Sequence, residues 1–225
     1  MISCATIVTM SASAERMAMF PLSTVLFPQA SISLHVFEPR YQALVADCLA
    51  GDRTFGVVLI RRGREVGGGD ERHDVGTVAH IVAASPYADG RWALACQGGE
   101  RLKVVEWLAD GPYPAAMVEI ETRHSPTPDD KSADFVGAKL DAAMSSVRRT
   151  WALLSEAGRA PALPSSMVLD PDPDTAGWQL ISAAPLSAYD AQRLLEIDDL
   201  TERLECLRTL VDDLSSDLIR MLAGK

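Results

Sequence analysis

The sequence predicts an α+β protein in which a small closed or half-closed antiparallel sheet carrying one helix comes first and a helical bundle follows. Two observations carry this. Up to about residue 122 the apolar residues fall in short runs broken by turn residues, whereas beyond it they recur every three or four positions. Between the two lies "RHSPTPDDK" (123–131), a polar, proline-bearing stretch that reads as a boundary. Residues 16–122 are therefore expected to form the sheet domain and 123–225 the bundle, with 1–15 as a flexible N-terminal tail.

In chain order, Ile32, Leu34 and Val36 alternate as in a strand. Tyr41, Leu44, Val45, Cys48 and Leu49 then follow helical spacing. The change of period falls on "EPRY": Pro39 suits a first helical position, Glu38 puts negative charge at the positive helix end, and Gly51 is expected to stop the helix. "TFGVVLIRRG" (54–63) reads as a buried strand, and the glycine-rich, charged stretch up to Gly76 as a loop. Further strands are expected at 77–85, 91–98, 100–109 and 115–122, separated by "PYADG", "GG" and "DGPYP".

In the second half, Val136, Leu140, Met144, Val147, Trp151 and Leu154 form one helical stripe. "APALPSSMVLDPDPD" (160–174) reads as an extended connection. "TAGWQLISAA" and "SAYDAQRLLEI" read as short helices, the latter with Ser187 as N-cap and Asp190 three residues on. A closing helix carries Leu200, Leu204, Leu207, Val211, Leu214, Leu218 and Leu222, which suits a seam against the preceding helices.

Composition excludes several classes. The formal charge is −10 over 225 residues, and acids outnumber bases in both halves, thirteen to ten in 16–122 and seventeen to eleven in 123–225. Nucleic acid and anionic membrane are thus not expected as partners. Cys4, Cys48, Cys96 and Cys206 lie far apart with no CxxC, which argues against zinc ribbons and disulfide frameworks and for a cytoplasmic setting. No apolar run spans a bilayer, and no basic residue precedes Arg16 as a secretory signal would require. Met1, Met10 and Met17 all stand as candidate starts.

Candidate chemistry is sparse. Of the four lysines, Lys103, Lys131, Lys139 and Lys225, only the last follows a glycine, so a phosphate-binding P-loop is not expected, and neither a dinucleotide fingerprint nor a G-x-S-x-G elbow is present. Asp70, Glu71, His73 and Asp74 are the densest set of metal-ligand types, but they lack ligand spacing and read as a solvated loop. Cys96 and His80 sit on neighbouring expected strands without a motif, and the Arg61, Arg62, Arg64 cluster is blunted by Glu65, Asp70, Glu71 and Asp74. No catalytic, cofactor-binding or metal residue is assigned, and none of the residues is assigned to a partner.

Five segments in order resemble the N-terminal, substrate-binding domain family of Lon proteases: "FPLSTVLFPQASISLHVFEPRY", "DVGTVAHI", "GGERLKVVEW", "GPYPAAMVEIE" and "AQRLLEIDDLTERLECLRTLV". The resemblance implies a PUA-like antiparallel β-barrel followed by a C-terminal α-helical bundle. It implies a non-catalytic module without cofactor that recognises unfolded polypeptide or a protein partner through apolar surface between barrel and bundle, with at most weak homo-oligomerisation. It also makes Glu38, Arg40, Tyr41 and Arg101 structural, with Arg40 expected to satisfy charge and carbonyl groups inside the strand-to-helix corner. The family's ATPase and serine-lysine protease domains have no counterpart in these residues. The alternatives are a PUA-like nucleic-acid binder, which the acidic balance opposes, and an enzyme built on residues such as Cys96 or His73, which no motif supports.

Overall fold

A computed structural model describes residues 14–63, 65, 69–109, 111–121, 130–159 and 167–223, with the side chains of 130–133 excepted. The elements run β1 (Glu15–Leu22), β2 (Ser31–Val36), α1 (Pro39–Ala50), β3 (Thr54–Arg62), β4 (Glu71–Pro86), β5 (Trp92–Trp107), β6 (Ala115–Ile120), α2 (Asp130–Glu156), α3 (Pro173–Ala183), α4 (Ala188–Glu196) and α5 (Leu200–Ala223). The α+β class holds. The expected flexible tail, 1–15, lies outside the described residues except for its last two, and Glu15 already pairs with Val118 in the sheet.

The sheet order is β2-β5-β4-β3-β1-β6, and a further β5–β6 pairing joins the ends of the last five strands into a ring, leaving β2 as an appended edge strand. All pairings are antiparallel except β1 with β3, which run parallel from Met19↔Gly56 to Leu22↔Leu59. This corrects the purely antiparallel expectation. β1 itself is unheralded by alternation because strands on both sides and core on both faces bury its second half. Pro21 fits there for a physical reason. Met19 N–H donates to Pro114 O on the β6 side, and two residues on, beyond the last β6 pair at Ala18, Pro21 has no strand to donate to.

Two expected breaks are absent. The "GG" at 98–99 does not separate two strands but bends one long β5, and β4 begins at Glu71 inside the stretch read as a loop. α1 stops at Gly51, but that glycine has φ −113°, and the left-handed residue is Arg53 at φ 62°, whose N–H reaches Cys48 O at 2.9 Å. α3 starts at Pro173, inside the stretch expected to be extended, because Asp172 caps it by accepting from Thr175 N–H at 2.8 Å.

Two cores fill the sheet portion. One, with Phe20, Leu44, Phe55, Leu94 and Cys96, lies under α1, and the other, with Met19, Val58, Leu102 and Val118, lies within the ring. The helices close on a third core around Leu140, Val147, Trp178, Leu194, Leu207 and Val211. The α5 seam drifts off the leucine heptad: Ser215 is buried where Leu214 was expected, since a straight helix advances about 20° per seven residues against a fixed seam. Ser215 Oγ meets Thr150 Oγ1 at 2.8 Å, which satisfies both buried hydroxyls.

Candidate functional site

The junction between sheet and helices is built on a bulge. Thr77 pairs with Arg101 and Ala79 with Gly98, so β5 places one more residue than β4 across this interval. Glycine is required at 98, where a Cβ would stand 2.2 Å from the backbone oxygen of Phe27; at Gly99 a Cβ would meet only the tip of the exposed His80 ring, 2.4 Å from Nε2. Past the bulge, Arg101 enters the helical side, buried at 6 % exposure. Its Nη1 donates to Leu195 O at 2.7 Å and Ile197 O at 3.1 Å, and its Nη2 contacts the carboxylates of Glu121 and Asp198.

From the other side Arg203, fully buried, donates to Ile197 O at 3.1 Å and Asp198 O at 2.9 Å. Two arginines from opposite parts of the chain thus hold the α4–α5 connection, and each meets carbonyls at the negative end of α4. The Arg203 guanidinium also lies 3.8 Å from the Trp178 ring centroid, and Trp178 stacks on Phe27 with centroids 5.8 Å apart. Phe27 is the sheet portion's anchor in the helical core. Gln192 Nε2 adds a bond to Val75 O at 3.0 Å, and His73 Nδ1 lies 3.2 Å from Glu196 Oε1.

Around Phe27–Ala30 the junction opens into cavities of contrasting chemistry. A cleft of about 710 Å³ has Arg101 and His80 with four carboxylates on its walls, Glu100, Glu121, Asp172 and Asp174. Next to it, a groove of about 480 Å³ between the β1–β2 loop and α3–α4 is lined by Val25, Leu26, Ile32, Ile181, Leu186 and Ala191 among others. The Phe27–Ala30 turn separating them is fixed by Gln29 at φ 64°, whose N–H donates to Gly98 O at 2.8 Å.

The corner residues read from sequence lie apart from these openings. Arg40 Nε is 3.1 Å from Glu38 Oε2, its Nη2 donates to Glu65 O at 2.9 Å, and its guanidinium stands 4.4 Å from the Tyr41 ring centroid. Tyr41 stacks on Phe20 at 4.0 Å, and burial pushes its phenol up to about 12. The Glu38 side chain makes no capping bond to the helix, because its carboxylate is turned to Arg40; only its backbone carbonyl accepts, from Tyr41 and Gln42 N–H.

The ligand-type residues of 70–74 do not converge. They stand on or beside a strand rather than in a solvated loop, and alternation sends them to different partners. Asp70 pairs with Arg72 at 2.6 Å, Asp74 accepts from Trp107 Nε1 at 3.2 Å, Glu71 faces Arg61 at 3.5 Å, and His73 meets Glu196. Among the described residues no group of three or more His, Cys, Asp or Glu is placed to hold a metal ion. Cys96 and His80 do not meet either: Cys96 sits opposite Ile81 in the core, whereas His80 lies beside Gln97 on the exposed face near Glu100. Burial pushes the Cys48 and Cys96 thiols up to about 11. Arg61 and Arg62 are exposed, and Arg64 lies outside the described residues. Arg203 was missed altogether, although its spacing from Leu200 and Leu207 places it on the seam.

Among the described residues no helix is long and apolar enough to cross a membrane. The profile described as "ATP-dependent protease La (LON) substrate-binding domain" matches residues 16–213. The LON peptidase N-terminal domain and RING finger protein C14F5.10c of Schizosaccharomyces pombe is 23% identical over 81% of this chain and 42% of its own length. Lon protease 2 of Herpetosiphon aurantiacus is 29% identical over 84% of this chain and 23% of its own. The chain thus spans less than half the length of these curated relatives. Among solved structures, a Lon N-terminal domain protein from Xanthomonas campestris superposes with a TM-score of 0.59 at 26% identity, covering 86% of this chain and 96% of that one. The N-terminal domain of the Mycobacterium avium complex Lon protease, 19% identical, shares the fold with a TM-score of 0.56. The chain belongs to the Lon substrate-binding domain family.

Proposed function

We propose that this chain is a non-catalytic substrate-recognition module that holds unfolded polypeptide or exposed segments of protein partners in the cytoplasm, without cleaving them. The observation that carries this reading is the apolar groove between the β1–β2 loop and α3–α4, where Val25, Ile32 and Leu186 are only half-buried over a floor that includes Ile181. Burying such surface is the main driving force available to a binder of unfolded chains, which offer apolar side chains and no fixed shape. The ring of five strands supports assigning the sheet portion to a PUA-like barrel, 16–122, with 123–225 as the helical domain. The bonds of Glu38, Arg40, Tyr41 and Arg101 support structural roles for all four. The four carboxylates at the junction oppose the nucleic-acid alternative, since phosphate oxygens meet like charge there.

Fluorescence anisotropy with a labelled, permanently unfolded protein and a labelled RNA, each at low and moderate salt, tests the reading. The expected result is weak, salt-tolerant binding to the unfolded protein, no binding to RNA, and no ATPase or peptidase activity. Salt-sensitive RNA binding without polypeptide binding would overturn it.

A further inference from the structure

The polypeptide-holding reading leaves open how an extended chain is gripped, and β2 supplies a mechanism that rests on that reading. β2 stands at the end of the strand order and pairs on one side only, with β5, in unbroken register from Ser31↔Gln97 to Val36↔Trp92. Gly98 N–H donates to Ala30 O at 2.8 Å, so the pair preceding Ser31 is a bonded one. By antiparallel alternation Ile32, Leu34 and Val36 turn their backbone groups toward β5, and Ser31, Ser33 and His35 turn theirs away. Those three residues are exposed, and among the described residues no hydrogen bond reaches their outward groups. Edge strands are commonly guarded by lysine, proline or a bulge. "SISLHV" has none of these.

Cavities accompany this edge along its length. The apolar groove reaches Ser31 and Ile32, and a smaller cavity of about 140 Å³ runs beside Ser33–Phe37 with Phe20, Leu22 and Tyr41 on its far wall. Neither is lined by any residue of β4 or β5, so both open away from the paired side of β2. Beyond Ser31, Pro28 and Gln29 form the near wall of the cleft that bears Glu100, Glu121, Asp172 and Asp174.

We propose that an extended segment of unfolded polypeptide adds as a strand to the free edge of β2, bonding the backbone of Ser31, Ser33 and His35. Its apolar side chains enter the two cavities, and a lysine or arginine at its end meets the carboxylates of the cleft. Charge opposes a second copy as the occupant, because each copy carries a formal net charge of −10 and two copies repel.

The test uses the full chain and a fluorescein-labelled peptide of about twelve residues that alternates valine and serine and ends in two lysines. Alternate amide N-methylation of the peptide in one register is expected to abolish binding, and in the other register to leave it intact. Ser33→Pro removes an outward N–H without breaking a β2–β5 bond and is expected to weaken binding about tenfold, with the melting temperature reporting what the fixed φ of proline costs the strand. Replacing the peptide's lysines by glutamates is expected to weaken binding severalfold. Binding insensitive to methylation in both registers overturns the edge mechanism while leaving the polypeptide-holding function standing, and the methylation arm decides even where Ser33→Pro fails to fold. Absence of binding by both the peptide and unfolded protein overturns both. A homodimer in sedimentation that Ser33→Pro dissociates would make a second copy the occupant and overturn the proposal.

Discussion

Replacing Arg101 by alanine should cost about 3 kcal/mol, and the structure says which of its bonds carry that loss. The side chain meets two carbonyls and two carboxylates. Ile197 O keeps a second donor, Arg203 Nε at 3.1 Å, so its loss is partial. Leu195 O sits in the last turn of α4 on a residue 1 % exposed, and without Arg101 it becomes a buried carbonyl facing no charge, worth about 1–3 kcal/mol. The helix-end charge interaction adds up to about 1 kcal/mol. Asp198, 84 % exposed, and Glu121, 39 % exposed, hydrate once released, so they contribute under about 1 kcal/mol each. Urea unfolding followed by circular dichroism and tryptophan fluorescence measures the sum, with Arg101→Lys expected to recover about half and Asp198→Asn to cost under about 1 kcal/mol. A loss below about 1 kcal/mol for Arg101→Ala, or a loss from Asp198→Asn as large, would refute the carbonyl-centred account.

Arg40→Ala should lower stability by about 1–2 kcal/mol rather than the larger cost of a fully buried pair, because Arg40 and Glu38 retain 21 % and 16 % side-chain exposure; the melting temperature reports this, and an unchanged value would contradict it. Burial pushes the Asp70 carboxyl up, but the hydrogen bonds and charge of Arg72 outweigh burial and hold it below the usual carboxylate range. A depressed folded value means stability that is present above the unfolded value, near 3.8, and lost as pH falls through the folded one, so Asp70→Asn should flatten the acid limb of a stability-against-pH curve below about pH 4. In a Cys4→Ser background at pH 8, a disulfide-exchange reagent should titrate Cys206 in the folded protein. Cys48 and Cys96, with thiols near 11, should react only on unfolding.

What the sequence disclosed and what it hid divide along one physical line. The α1 corner, the Ser187 cap and the α2 stripe are written in neighbours a few residues apart, and Ser187 does accept from Asp190 N–H at 3.1 Å. β1 hid because an apolar run such as "MAMFPL" has no alternation to read once both of its faces are buried. The acidic and His-bearing stretch 70–74 suggested a loop because its charges looked solvated, yet Asp70 pairs with Arg72 within it and Glu71, His73 and Asp74 find partners on other elements, Glu196 lying 123 residues from His73. The resemblance implied apolar surface between sheet and bundle, but the residues that wall the junction cavities could not be named for the same reason, since they come from segments joined only by folding.

The same long-range closure links the β5 bulge to the open edge of β2. An alanine in place of Gly98 would press on Phe27 O, and Phe27 is the residue that seats the β1–β2 loop against Trp178. Gln29 N–H and Ala30 O both bond to Gly98, so the start of β2 is positioned by the backbone of that glycine. The helical core therefore holds the loop at Phe27 and the bulged strand holds it at Gln29 and Ala30, both in its half nearest β2, and the groove walls Val25 and Leu26 lie on the span between β1 and Phe27. Thr77 Oγ1, donating to Leu26 O at 2.6 Å, fixes the middle of it. A groove suspended between three such attachments is preorganised by the junction itself, so its affinity for an extended chain should follow the integrity of Phe27, Thr77 and Gly98 even though catalysis is asked of none of them.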